Sequence, residues 1–253
     1  MPKSLLITGG ASGIGAETAR LAASQGYRIA VNYRSRAAEA DALVDAIKAD
    51  GGEALAVAAD VTKDDDVVRL FDAVEKAFGG IDAVVNSAGY NVGMMRVADV
   101  QADILERMLM ANVFGTIVSC REAVRRMSTK LGGKGGVIVN VSSQASTFGG
   151  RPGRSCYAAS KGAIDSFTMG LAREVGDEGI RVNAVRPGMT KTPMTQAACD
   201  DPQRRREIEA SIPMDRIADP SEVAKPIVWL LSEDASYVSG ALLNITGGGL
   251  AMG

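Results

Sequence analysis

Tyr157, Ala158, Ala159, Ser160 and Lys161 make up the segment of this chain with the most specific chemistry. On a helix, residues four apart are neighbours, so the Lys161 ammonium falls beside the Tyr157 phenol. An unperturbed tyrosine, with a pKa of about 10, is a poor base at neutral pH, but a cation within about 4 to 6 Å favours the phenolate by about 1 to 3 pH units. The pair could therefore give and take a proton near neutrality. The same spacing alone also describes a solvated helix face, so its company decides. Upstream, the apolar run 137–141 ends in Ser142 and Ser143, which delivers a hydroxyl at a strand end where it could donate to a substrate carbonyl. The alternative there is a plain serine-rich turn. Histidine is absent from the sequence, which removes the imidazole base, histidine zinc sites and every Ser/His/Asp arrangement. Acid and base chemistry falls to Tyr, Lys and carboxylates.

A second constellation lies at the start of the chain. The run 5–7 passes into TGGASGIG, placing Gly9, Ser12, Gly13, Ile14 and Gly15 at a strand-to-helix turn. Glycines there let the backbone turn tightly and approach a pyrophosphate, which the helix N-terminus then faces. A dinucleotide fold expects an acid about 20 residues on, for the ribose hydroxyls of NAD. This chain instead reads Asn32, Tyr33, Arg34, Ser35, with no carboxylate before Glu39. A guanidinium at Arg34 suits a 2′-phosphate, so NADP is the expected cofactor, with NAD as the alternative. Asp60 and Val61 end the third run, where the carboxylate could accept from an adenine amino group or serve a helix N-cap. Asn86, Ser87, Ala88 and Gly89 form a small-residue turn able to lie against the cofactor, or simply a polar turn.

These groups need a scaffold. Apolar runs at 5–7, 29–31, 55–57, 83–85, 137–141, 182–185 and 242–245 lack polar alternation and read as strands buried on both faces. Between them lie stripes of helical period, such as Val67, Phe71, Val74 and Phe78, or Ile164, Phe167, Leu171 and Val175. A βαβ unit repeated over about 250 residues predicts one α/β domain spanning residues 1–253. Its core would be a Rossmann-type, doubly wound parallel sheet of seven strands with helices on both faces. Ligands would bind beyond the carboxyl ends of the strands. A formal charge of −2 gives no reason to expect nucleic acid. The opening residues resemble neither a leader nor a membrane span, and three scattered cysteines suggest reduced thiols, so a cytoplasmic protein is expected.

Taken together, the TGxxxGIG turn at Thr8 to Gly15, Asp60, the NSAG turn, Asn112, Ser143, YAASK and the RPG segment at Arg186 to Gly188 resemble the short-chain dehydrogenase/reductase family, particularly its 3-oxoacyl-ACP reductases and glucose dehydrogenases. The resemblance covers essentially the whole chain. It implies an NAD(P)-dependent oxidoreductase acting on a small carbonyl or alcohol, with a tetrad of Asn112, Ser143, Tyr157 and Lys161. In that tetrad Ser143 holds the substrate oxygen and Tyr157 protonates it. Lys161 binds the nicotinamide ribose and lowers the tyrosine pKa, while Asn112 positions a relay water. It further implies cofactor contacts from Pro187 and Gly188, from the Thr190 backbone and from Thr192. Thr190, Ser87 and Thr246 depart from the family's usual Ile, Asn and Asp at those positions, none of them in the tetrad. The polar segment 189–212 looks like a substrate lid, with a short helix around 204–210. Met94, Met95, Gln144, Phe148, Arg154, Met189 and Met194 are candidate lining residues, each methionine equally readable as core. Arg204, Arg205 and Arg206 could attract an anionic substrate, although such a charge run on a helix more often forms a solvated face. Small residues around Tyr157 and a single long helix over 103–127 suggest paired helices and a homotetramer. The rival readings are a non-catalytic NAD(P)-binding sensor, or an epimerase or dehydratase on the same fold.

Overall fold

The computed structural model describes residues 2–249, so the first residue and last four of the expected domain lie outside the described residues. In chain order the elements are β1 (Ser4–Thr8), α1 (Gly13–Ser24), β2 (Arg28–Tyr33), α2 (Ala37–Ala49), β3 (Ala54–Ala58), α3 (Asp64–Phe78) and β4 (Ala83–Asn86). The second half runs α4 (Ala102–Leu109), α5 (Gly115–Met127), β5 (Gly136–Val141), α6 (Ala145–Phe148), α7 (Ser155–Glu174) and β6 (Ile180–Pro187). It finishes with α8 (Gln196–Asp200), α9 (Pro202–Ala210), α10 (Pro220–Leu231) and β7 (Leu242–Ile245).

All seven expected strands form, and they pair in parallel in the order β3-β2-β1-β4-β5-β6-β7. Successive side chains on a strand point to opposite faces, so each apolar run feeds two cores. Leu5, Ile7, Val31, Val85, Val139 and Val185 pack with α1, α2 and α10 on one side. Leu6, Ala30, Val84, Ile138 and Val182 pack with α3, α5 and α7 on the other. That double burial explains why the runs carry no polar alternation. The strand order reverses between β1 and β4, which opens a crevice at their carboxyl ends.

The helix expected over 103–127 is interrupted. Between α4 and α5 the backbone widens into a π turn over Met110–Phe114, which carries Asn112. Such single π turns concentrate at functional sites, because they displace carbonyls from the regular ladder. Directly after it, Gly115 lets α5 close on Val61: a Cβ there would lie 2.8 Å from Val61 Cγ2. The segment 189–212 carries two short helices, α8 and α9, where one was expected.

Candidate active site

The glycine turn is a cradle that larger residues would fill. A Cβ on Gly9, whose φ is +62°, would sit 2.7 Å from Ala88 Cα, and one on Gly15 would sit 2.6 Å from the Gly9 carbonyl. Ser12, the residue before α1, makes no side-chain cap and the first turn holds no acid, so the leading N–H groups of Gly13, Ile14 and Gly15 are left for an external anion. A cleft of about 580 Å³ opens there, lined by Ser12, Gly13, Glu39, Lys191 and Thr192 among others. The nicotinamide dinucleotide implied by the sequence suits these residues.

Around this cradle the expected cofactor residues divide. Arg34 and Ser35 are exposed beyond β2, and Arg34 makes no ion pair among the described residues, whereas Arg36 is tied to Glu39 at 3.1 Å. Asp60 uses Oδ1 to accept from Thr62 N and Oγ, so it caps its own turn while α3 starts later. Three of the expected cofactor residues turn their side chains into the protein. Asn32 is buried and spends its side chain inside the protein: Oδ1 accepts from Gly9 N, and Nδ2 donates to the carbonyls of Tyr33, Val57 and Ala59. Its side chain is committed to holding the turn's shape. Asn86 likewise turns into the sheet, donating to Asn140 Oδ1 at 2.9 Å and to Cys120 Sγ. The Val61 side chain is buried against Gly115.

Past β6, Pro187 and Gly188 lead into a knot of threonines. Thr190 is buried and bridges to Ala218, and the Thr192 methyl lies against Gly13, where a Cβ would come within 3.1 Å. Thr195, overlooked in the sequence, organises this knot. Its hydroxyl donates to the Thr190 and Thr192 carbonyls and accepts from Thr192 N. Hydroxyl-rich turns give no periodic signal, so only the folded geometry reveals it.

At the end of β5 the two serines part. Ser142 is buried and donates to the Lys161 carbonyl at 3.2 Å, whereas Ser143 stays at the cleft, accepting from Ala145 N and facing the Tyr157 hydroxyl. On α7 the Tyr157 ring and Lys161 are stacked one turn apart, with Nζ 5.9 Å from the ring centre. A Cβ on Gly89 would lie 3.5 Å from Asn112 Oδ1 and 3.7 Å from Lys161 Nζ. The NSAG turn, the π turn and α7 therefore converge on one point beyond the sheet.

The electrostatics differ from the sequence expectation. Burial pushes the Tyr157 phenol above its ordinary value, opposed by the Ser143 hydroxyl and then the Arg154 charge. Lys161 is not among the groups that lower it. Its ammonium donates instead to the Val141 carbonyl at 2.8 Å, and burial lowers its own pKa to about 8. Asn112 is also more committed than expected. Its Oδ1 accepts from Tyr90 N at 2.6 Å, and Nδ2 donates to the Tyr90 carbonyl and to Ser160 Oγ, both at 3.0 Å. Ser160 in turn donates to the Tyr157 carbonyl at 2.7 Å, a link the sequence did not disclose.

At the outer edge Met94, Phe148 and Met194 are exposed rather than core. Arg154 donates to Asn91 Oδ1, and Gln144 Oε1 lies over Gly188. Of the arginine run, Arg205 pairs with Glu209 at 2.9 Å, while Arg204 reaches across the surface to Met94 Sδ.

Comparison with known proteins matches this geometry. The adh_short_C2 family model, described as enoyl-(acyl carrier protein) reductase, matches residues 9–249. The Uncharacterized oxidoreductase YgfF of Escherichia coli is 45% identical over 243 residues, covering 96% of this chain and 98% of that protein. Glucose 1-dehydrogenase of Gluconobacter oxydans is 36% identical over 246 residues, covering 97% and 91%. The crystal structure of 3-ketoacyl-(acyl-carrier-protein) reductase from Brucella melitensis, complexed with NADH, superposes with a TM-score of 0.90 at 32% identity, covering 98% of each chain. The chain belongs to the short-chain dehydrogenase/reductase family. It is an NAD(P)-dependent oxidoreductase of the class that interconverts carbonyls and alcohols, and the sensor, epimerase and dehydratase readings find no support among these relatives.

Proposed function

We propose that the chain reduces a small carbonyl substrate with NADPH, using Tyr157 as the proton donor. The observation that carries this reading is the meeting of Tyr157, Ser143 and Lys161 beside Gly89, at the carboxyl edge of β4 and β5 and next to the glycine cradle. The cofactor would supply the hydride to the carbonyl carbon. Ser143 donates a hydrogen bond to the substrate oxygen. As charge builds on that oxygen, the Tyr157 O–H bond breaks and its proton completes the alcohol. A phenol kept protonated by burial suits this direction, since it arrives as an acid. Lys161, on the same face of α7, would hold the nicotinamide ribose, and Asn112 and Ser160 hold the helix backbone beneath it.

NADP is preferred in this reading because Arg34 stands unpaired where the adenosine ribose would lie, while Arg36 is neutralised by Glu39. Gly9, Gly13, Ile14 and Gly15 would hold the pyrophosphate, Asp60 the adenine, and Thr190 and Thr192 the carboxamide. The segment 189–212 acts as the substrate lid. The outer face of α7 exposes Ala159, Ala163, Met169 and Gly170, which suits close helix pairing in a homotetramer. Three free thiols suit the cytoplasm, and no described helix is long and apolar enough to cross a membrane.

The test is the purified protein with NADPH and a panel of ketones, 3-oxoacyl thioesters, aldoses and quinones. Loss of reduced-cofactor absorbance with at least one of them is expected. NADPH binding without turnover across the panel would leave a sensor in its place.

A further inference from the structure

The head of α7, beside the Tyr157 phenol, carries positive charge that no carboxylate among the described residues pairs with. Between Glu122 and Asp165 the sequence contains no carboxylate, yet this stretch includes Arg151, Arg154 and Lys161. Arg154 sits at the head of α7, three residues before Tyr157, and is half-buried. One arm of its guanidinium donates to Asn91 Oδ1, and among the described residues the rest of the fork makes no hydrogen bond and no ion pair. Arg204 reaches the same place from α9, with Nη2 3.8 Å from Met94 Sδ, and it too has no acidic partner among the described residues.

The loop carrying Met94 is fastened to this wall, because Met95 N donates to the Gly153 carbonyl at 2.8 Å. Arg151 also crosses toward the lid and donates to Ser211 Oγ at 2.9 Å. The loop, the head of α7 and the lid thus bring a half-buried guanidinium, Arg154, and an exposed one, Arg204, to the side of the reacting phenol. A half-buried charge without a counter-charge is unfavourable, and a like charge nearby adds to the cost. Both effects act on Arg154: burial is the larger, the neighbouring Tyr157 oxygen opposes it, and Arg204 adds to it. An arriving anion would relieve both, and a guanidinium with free donors matches carboxylate or phosphate geometry.

We infer that the substrate is a carbonyl compound bearing an anionic group, carboxylate or phosphate, and that Arg154, joined by Arg204 from the lid, is its specificity-determining anchor. The inference rests on the oxidoreductase reading above and narrows its substrate class. Arg205 and Arg206 stay outside it, as the first is paired with Glu209 and the second reads as a solvated face.

The test compares matched pairs in the NADPH assay: acetoacetate against methyl acetoacetate, and dihydroxyacetone phosphate against dihydroxyacetone. At least one anionic member should exceed its neutral partner in kcat/KM by roughly ten- to a hundred-fold, as a charge-assisted bond lost to a neutral group implies. The pair that shows the effect tells carboxylate from phosphate. Arg154→Gln should bring that ratio down to about three-fold or less, and Arg204→Gln should lower it in part, chiefly through KM. Parity within both pairs, or a ratio retained in Arg154→Gln, overturns the inference. Calorimetric titration of the NADP+-loaded protein with acetoacetate and with dihydroxyacetone phosphate reads the anchor without turnover. Weaker binding in Arg154→Gln supports it, and no binding of either, or equal binding in both proteins, overturns it. Reduction of the neutral vicinal diketone diacetyl by the wild type but not by Tyr157→Phe would keep the oxidoreductase reading intact if the anchor fails. Absence of turnover with every carbonyl would sink that reading instead.

Discussion

The Lys161 ammonium lies 5.9 Å from the centre of the Tyr157 ring and gives a hydrogen bond to the Val141 carbonyl. The two groups therefore share a face of α7, while the phenol's own environment is set by burial, Ser143 and Arg154. Reduction needs the phenol protonated and the ammonium charged. Since burial brings Lys161 down to about 8 and pushes Tyr157 above its ordinary value, the lysine titrates first. The kcat/KM for reduction should hold steady through neutral pH and decline as pH passes about 8. A steady-state pH profile that stays flat beyond the ordinary tyrosine value of about 10 would exclude a charged Lys161 from the reaction.

The same depressed pKa has a stability consequence. Folded Lys161 releases its proton near 8, while the unfolded side chain holds it to 10.5, so between those values the unfolded chain binds more protons and stability rises with pH. Below that window the full cost of the buried charge is present. Lys161→Met removes the cost, and the variant should be inactive yet melt higher than wild type at neutral pH, by several degrees at about 2 to 4 °C per kcal/mol. The gap should narrow as the pH is raised toward 10. Thermal melts with a gap that widens instead would show that the ammonium stabilises the fold.

Ser160 joins Asn112 to the Tyr157 carbonyl and touches neither substrate nor cofactor in this reading. It is a positioning residue. Ser160→Ala leaves the buried Asn112 amide short of one acceptor, and the expected loss in kcat is about ten-fold, or 1.4 kcal/mol on the barrier. The KM for NADPH should move little. A matching rise in that KM, with kcat intact, would place Ser160 in cofactor binding.

The scaffold is readable in the sequence because the central strands are buried on both faces: in β1, Leu5 and Ile7 feed one core and Leu6 the other, which leaves no polar residue to blur that run. YAASK is readable because helical spacing is a local property. The π turn at Asn112 is not, since helical periodicity over 103–127 continues through one extra residue without a break. The inward side-chain bonds of Asn32 and Asn86 are not legible either, because a polar residue at a strand end looks free in one dimension. Their partners, Ala59 just past β3 and Asn140 on β5, come within reach only when the sheet forms. Which of Arg204, Arg205 and Arg206 could meet an anion is likewise not legible. Three consecutive arginines look alike in sequence, and only the placement of α9 turns one of them toward Met94.

Arg34 carries the cofactor preference in this account. Its guanidinium has no protein partner among the described residues, so losing it should cost the 2′-phosphate a charge-assisted contact and nothing else. Arg34→Ala should weaken NADPH binding by about ten-fold or more while leaving NADH within about two-fold. Fluorescence titrations in which both cofactors weaken equally, or neither does, would remove Arg34 from the preference.

The proton donated by Tyr157 is the central claim, and Tyr157→Phe tests it most directly, because the ring is kept and only the hydroxyl is lost. With a carbonyl that the wild type reduces, the variant should lose NADPH-dependent turnover by at least about a hundred-fold, as removal of a general acid implies, while its NADPH affinity stays nearly unchanged. Turnover within a few-fold of wild type, in a variant that folds and binds cofactor normally, would contradict the account.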